Sequence, residues 1–175
     1  MIKVKICGIT NLDDAMASAR FGADGIGFVF YKKSPRYIDP KKAGEIISAL
    51  PPFITTFGLF VNEDKEKVKQ IIGETGINIV QLHGDENPDY CNSFSKQTVK
   101  AIRIKDLESL KDMEQYLVRA FLLDSYSDTF YGGNGTTFNW DLAISAKRYG
   151  HIILAGGLTI DNLKMAIDKV MPYGV

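Results

Sequence analysis

The chain has 175 residues, 45% of them hydrophobic and 24% charged, with 16 glycines; that is enough to bury one sizeable core, and it predicts a single domain over 1–175. Its 21 Lys and Arg balance 21 Asp and Glu, so no basic excess points to nucleic acid or to an anionic membrane surface. Two cysteines, Cys7 and Cys91, stand at no zinc-ligand spacing and there are two histidines, which speaks against a protein-built metal site and for a reducing cytoplasm; no secretory leader and no run near ~20 apolar residues is read in it.

Strand-like and helix-like segments alternate from one end to the other. "IKVKIC" precedes "NLDDAMASARFG", in which Leu12, Ala15, Met16 and Ala19 recur at helical spacing and Gly22 supplies a stop. "DGIGFVF" leads through "YKKSPRYIDP" into "KKAGEIISAL", "ITTFGLFV" precedes "EDKEKVKQIIG", and "INIVQLHG" precedes "NPDYCNSFS". "TVKAIRI" precedes "DLESLKDMEQYL", "RAFLLD" leads through a glycine-rich loop into "FNWDLAISAKRYG", and "HIILAGG" precedes "TIDNLKMAIDKV".

Seven strand-then-helix units predict a parallel sheet with right-handed crossovers, either doubly wound or closed into a barrel. A dinucleotide-binding sheet would show G-x-G-x-x-G after its first strand, where this chain has Cys7-Gly8-Ile9-Thr10. The glycine pairs fall late, at Gly132-Gly133 and Gly156-Gly157, where phosphate-binding barrels place their anion site. The expected fold is therefore an α/β (β/α)8 TIM barrel with seven units present. The final "YGV" reads as the approach to an eighth strand, so the chain is expected to be C-terminally incomplete, with an open seam one strand wide between its first and seventh strands.

In such a barrel the reacting groups sit at the carboxyl ends of the strands. Cys7, Gln81, His83, Arg103 and Asp124 stand there, with Arg36 in the loop after the second strand. Alternation puts Lys3, Lys5 and Cys7 on one face and Ile2, Val4 and Ile6 on the other, which should pack on helices; it also separates Asp124 from Leu123. Each residue has a plainer reading: Cys7 as a small buried hydrophobe, His83 as a hydrogen-bonded structural histidine, Asp124 as a turn former, Arg36 as a surface arginine in a proline turn. Cys91, inside a helical segment, is assigned to packing.

Taken together, "KICGIT", "GFVFYKKSPRY", "GLFVN", "VQLHG", "LLD", "GGNGTTFNW" and "LAGGLTIDN", in this order, resemble the phosphoribosylanthranilate isomerase family of tryptophan biosynthesis over nearly the whole chain. The resemblance implies a (β/α)8 barrel that performs an Amadori rearrangement of a phosphosugar-anthranilate substrate, without cofactor or metal, as a monomer or homodimer. It places the base on Cys7, the acid on Asp124 and the substrate-orienting arginine on Arg36. Gln81 and His83 are expected at the substrate and Gly156 and Gly157 at the phosphate. The chain departs from the family at Asn134, Thr136 and Asn139, where threonine, lysine and aspartate are the rule, and in lacking the "DVSSG"-like turn of the eighth strand.

The chemistry so implied needs one acid to protonate the ribose ring oxygen and one base to take the proton from the neighbouring carbon. The start of the helix after Gly8 and the cation of Arg36 are expected to favour a thiolate. Two rivals stand beside this reading: another phosphosugar barrel enzyme, which would need a metal cluster or a strand-end lysine, and a non-catalytic phosphosugar-binding barrel.

Overall fold

The computed structural model of the protein describes residues 1–94, 97–126 and 137–175. Seven strands form one parallel sheet in sequence order: β1 (Lys5–Cys7), β2 (Gly25–Val29), β3 (Thr55–Phe60), β4 (Ile79–Leu82), β5 (Gln97–Ile104), β6 (Ala120–Ser125) and β7 (His151–Leu154). Helices α1 (Leu12–Arg20), α2 (Pro40–Ala49), α3 (Lys65–Thr75), α4 (Pro88–Cys91), α5 (Trp140–Ala146) and α6 (Leu163–Val170) follow the strands. Their starts are written locally. Asn11 caps α1 by accepting from Asp14 N, Asp39 caps α2 just before Pro40, and Asp64 accepts from Glu66 N and Lys67 N at α3.

Strand alternation sorts the core into two layers. Phe57, Val99, Ala101, Ala120, Leu122 and Ile153 fill the inside of the curl. Ile26, Phe28, Phe60, Val80 and Leu82 face outward against Ala43, Ile46, Val68 and Ile71 of the helices, and Leu123 joins a second outer cluster with Trp140 and Ala143. Each fully buried large side chain contributes about 1.5–3 kcal/mol relative to exposure.

The seam differs from the expectation of an open gap. Gly174 bridges Lys3 on one side and Ile153 on the other. Lys3 N donates to Tyr173 O, Lys5 N to Val175 O and Leu154 N to Gly174 O, at 2.9–3.1 Å. Residues 173–175 thus lie between Lys3–Lys5, at the start of β1, and Ile152–Leu154 of β7, and β1 and β7 do not pair with each other. The sheet has to curl to bring its two edges to one strand's separation.

Three further expectations change. The segment "DLESLKDMEQYL" forms two 3₁₀ turns, Leu107–Leu110 and Met113–Gln115, because its inward residues Leu110, Met113 and Tyr116 recur every third position, the 3₁₀ period. "NPDYCNSFS" is helical only over the four residues of α4. Val4 and Ile6, expected under helices, are 36% and 41% exposed, since α1 leans on β2 rather than on β1.

Behind the strand ends, Lys100 and Glu86 form a buried ion pair at 2.8 Å. Lys100 Nζ also donates to Gly84 O, and Glu86 accepts from Gly84 N and Asn62 N. Both charges have partners on every side, which is what their burial requires. The pair ties the loop after β4 to the end of β3.

Candidate active site

The carboxyl ends of the strands collect the polar groups. Cys7 ends β1 on its inner face, opposite Gly27 in register, and packs against the apolar group of Val29, Leu59 and Val61. A Cβ built on Gly27 would stand 3.0 Å from both Cys7 Sγ and Lys5 Nζ; the missing side chain is what lets thiol and ammonium share that space. Lys5 Nζ lies 5.2 Å from the centre of the Phe57 ring, and among the described residues no carboxylate pairs with it. Sequence reasoning put Lys5 on the same face as Cys7 but gave it no role; the signal was a charged residue at an inward position of a barrel strand.

Arg36 lies across Gly8. That glycine has φ +92°, and a Cβ there would come within 2.5 Å of Arg36 Cδ, so only glycine permits the crossing. The turn that presents Arg36 is held by Ser34 N to Tyr31 O and Tyr37 N to Ser34 O, and the guanidinium is exposed. The expected helix start beside Cys7 is not found: α1 begins only at Leu12, with Asn11 as its cap and Asp13 and Asp14 in its first turn. The cations near the thiol are Arg36 and Lys5 instead.

Gln81, His83 and Asp124 form a buried chain of contacts. Gln81 Nε2 is 3.0 Å from His83 Nδ1, and His83 Nε2 is 3.1 Å from Asp124 Oδ2. Asp124 Oδ1 accepts from Ser125 N at 2.9 Å. The imidazole is anchored by His83 N donating to Phe60 O and by the Glu86-bound Gly84 that follows it. Next to Asp124 in register stands Arg103, which holds Asp85 at 2.6 Å and lies over the Tyr126 ring.

Gly156 has φ +75°, and a Cβ on it would meet Ser125 N at 2.4 Å and Asp124 Oδ1 at 2.9 Å. Close passage over Asp124 is thus one reason for glycine at this position. Gly157, at φ +63°, is also left-handed. Among the described residues neither N–H has a hydrogen-bond acceptor. The turn Thr159–Asn162, in which Thr159 N donates to Asn162 Oδ1 and Asn162 Nδ2 to Gly157 O, precedes α6; the helix begins later than Thr159 or Asp161. Gly132-Gly133, Asn134 and Thr136 lie outside the described residues, while Asn139 caps α5 by accepting from Asp141 N.

Cys91 answers the packing assignment. It is 1% exposed, its Sγ lies 3.8 Å from Glu86 O, and burial pushes the thiol up to about 11. Among the described residues no group of three or more potential ligands gathers for a metal, and no helix is long and apolar enough to cross a membrane.

The chain is similar to known proteins in sequence and in fold. A family model described as N-(5'phosphoribosyl)anthranilate (PRA) isomerase matches residues 4–175. The N-(5'-phosphoribosyl)anthranilate isomerase of Geotalea uraniireducens (strain Rf4) is 53% identical over 175 residues, covering 100% of this chain and 86% of the relative. The crystal structure of phosphoribosyl anthranilate isomerase from Thermotoga maritima superposes with a TM-score of 0.93 at 39% identity, over 100% of this chain and 86% of that one. A structure of the isomerase in complex with reduced 1-(o-carboxyphenylamino)-1-deoxyribulose 5-phosphate superposes with a TM-score of 0.89 at 38% identity, with the same coverage.

Proposed function

Because the chain belongs to the N-(5'-phosphoribosyl)anthranilate isomerase family, we propose that it converts N-(5'-phosphoribosyl)anthranilate to 1-(2-carboxyphenylamino)-1-deoxyribulose 5-phosphate in the cytoplasmic synthesis of tryptophan. The observation that carries this reading is a thiol and a buried carboxyl group, Cys7 and Asp124, on inner faces of β1 and β6 at one end of the curled sheet. Asp124 gives a proton to the ribose ring oxygen as the ring C–O bond breaks and the anilino nitrogen forms an iminium. Cys7 as thiolate then takes the proton from the adjacent carbon, and the resulting enolamine becomes the ketone. One acid and one base suffice.

Arg36 is the group for the anthranilate carboxylate, which a planar guanidinium grips with two hydrogen bonds. The open N–H groups of Gly156 and Gly157 suit one side of the phosphate. This chain, proposed as a single domain, covers 86% of the isomerase relative from Geotalea uraniireducens. The test is turnover of phosphoribosylanthranilate by the full chain, followed as loss of anthranilate fluorescence. Turnover without added metal or cofactor is expected, and none under any condition would overturn the assignment.

A further inference from the structure

Gln81 is the unexplained member of the buried chain. It is 1% exposed, and its Oε1 is buried with no hydrogen-bond partner. In the arrangement seen, Nε2 faces His83 Nδ1, so Nδ1 accepts, the ring hydrogen sits on Nε2, and His83 donates to Asp124 Oδ2. With Ser125 N donating to Oδ1, both oxygens of Asp124 accept. That is a carboxylate, which has no proton to give.

For Asp124 to act as an acid it must carry a proton. A proton on Oδ2 needs His83 Nε2 as its acceptor. The neutral ring then bears its hydrogen on Nδ1, and that hydrogen needs an acceptor at Gln81. A half-turn of the amide presents Oε1, the atom that is unpartnered in the resting arrangement. Oxygen and nitrogen ends of an amide are nearly equal in size, so the turn needs no repacking. The ring itself stays fixed by the bonds of its backbone and of Gly84.

We propose that Gln81 is a positioning residue that sets the proton on Asp124: the end of its amide that faces His83 determines whether His83 donates to Asp124 or accepts from it. Passage from the resting to the acid state takes one proton from solvent at Nδ1 and moves the Nε2 proton to Oδ2. The inference rests on the reading of Asp124 as the acid. Other charged groups around the chain of contacts are already engaged or lie on other strands: Arg103 with Asp85 beside Asp124, Glu86 with Lys100 behind Gly84, and Lys5 and Cys7 on β1. β3 and β7 present the uncharged Leu59 and Ile153.

The experiment compares the full chain with Gln81→Met, which cannot accept from Nδ1, and Gln81→Glu, which only accepts. The pH profile of kcat/KM should lose its activity at higher pH in Gln81→Glu than in Gln81→Met, which offers Nδ1 neither donor nor acceptor, the two limbs standing about one unit or more apart. Imidazole ¹⁵N NMR gives a second reading that needs no turnover, and with only two histidines, His83 and His151, the signals are readily assigned. The hydrogen should be found on His83 Nδ1 more in Gln81→Glu than in Gln81→Met at one and the same pH. Equal basic limbs in the two variants, or a limb at lower pH in Gln81→Glu than in Gln81→Met, would overturn the proposal. So would an Nδ1 titration indifferent to the substitution. A parent without turnover would instead count against the isomerase reading, leaving the NMR comparison as the test of Gln81.

Discussion

Gly156 passes so close over Asp124 that a side chain on it would meet Asp124 Oδ1 and Ser125 N. Gly156→Ala is expected to cost at least ~1 kcal/mol for the left-handed backbone and to push Asp124 aside, lowering kcat by ~10²-fold; a steady-state assay beside a denaturant titration separates the two effects. Arg36→Met should raise KM more than it lowers kcat, because the anthranilate carboxylate, the proposed partner of the guanidinium, does not react. A normal KM in that variant would remove Arg36 from the substrate. The two cysteines should also part experimentally. Cys91 is held as a neutral thiol up to about 11, against an ordinary 9.0, so the folded state keeps a proton that the unfolded chain releases above pH 9. Its contribution to stability is therefore constant below pH 9 and is lost as pH rises toward 11. Unfolding titrations at pH 8 and pH 10 should show that decline, and Cys91→Ala should reduce it. At neutral pH a thiol-alkylating reagent should modify Cys7 and spare Cys91.

The loop after β4 is a rigid element because two buried charges hold it from behind. Lys100→Met would leave Glu86 buried with only the N–H groups of Asn62 and Gly84, at a cost of about 3 kcal/mol. The expected result is a lower denaturant midpoint and a broadened site around His83; an unchanged midpoint would mean the pair is not a structural tie. Nothing in the sequence announced this pair, since Lys100 and Glu86 are far apart in chain order and each reads as a surface residue. The strands, by contrast, were legible at their inner and outer parity: Leu123 and Asp124 fall on opposite faces as alternation requires. The 3₁₀ turns were missed because Leu107, Leu110, Met113 and Tyr116 fit a helical stripe almost as well as a threefold one. Val4 and Ile6 were misplaced because strand alternation says which face is apolar, not whether an element covers it.

At the scale of the molecule, the curl of the sheet gathers residues from β1, β4 and β6 and the loop after β2 at one end, which no local stretch of sequence could do. The strand-end positions of Cys7, Gln81, His83 and Asp124 could be read once a barrel was inferred. The contacts among Gln81, His83 and Asp124, and the passage of Gly156 over Asp124, depend on neighbours in space and could not. The bridges of Gly174 to Lys3 and to Ile153 show how the two edges are brought together. The central claim is that this end of the sheet carries an acid and a base for an Amadori rearrangement. Its most direct test is kcat for phosphoribosylanthranilate in the full chain and in Cys7→Ala and Asp124→Asn, each checked for an unchanged fold by circular dichroism. Turnover by the parent and a loss of ~10²–10⁴-fold in each variant is the predicted result; near-parental kcat in either folded variant would contradict the account.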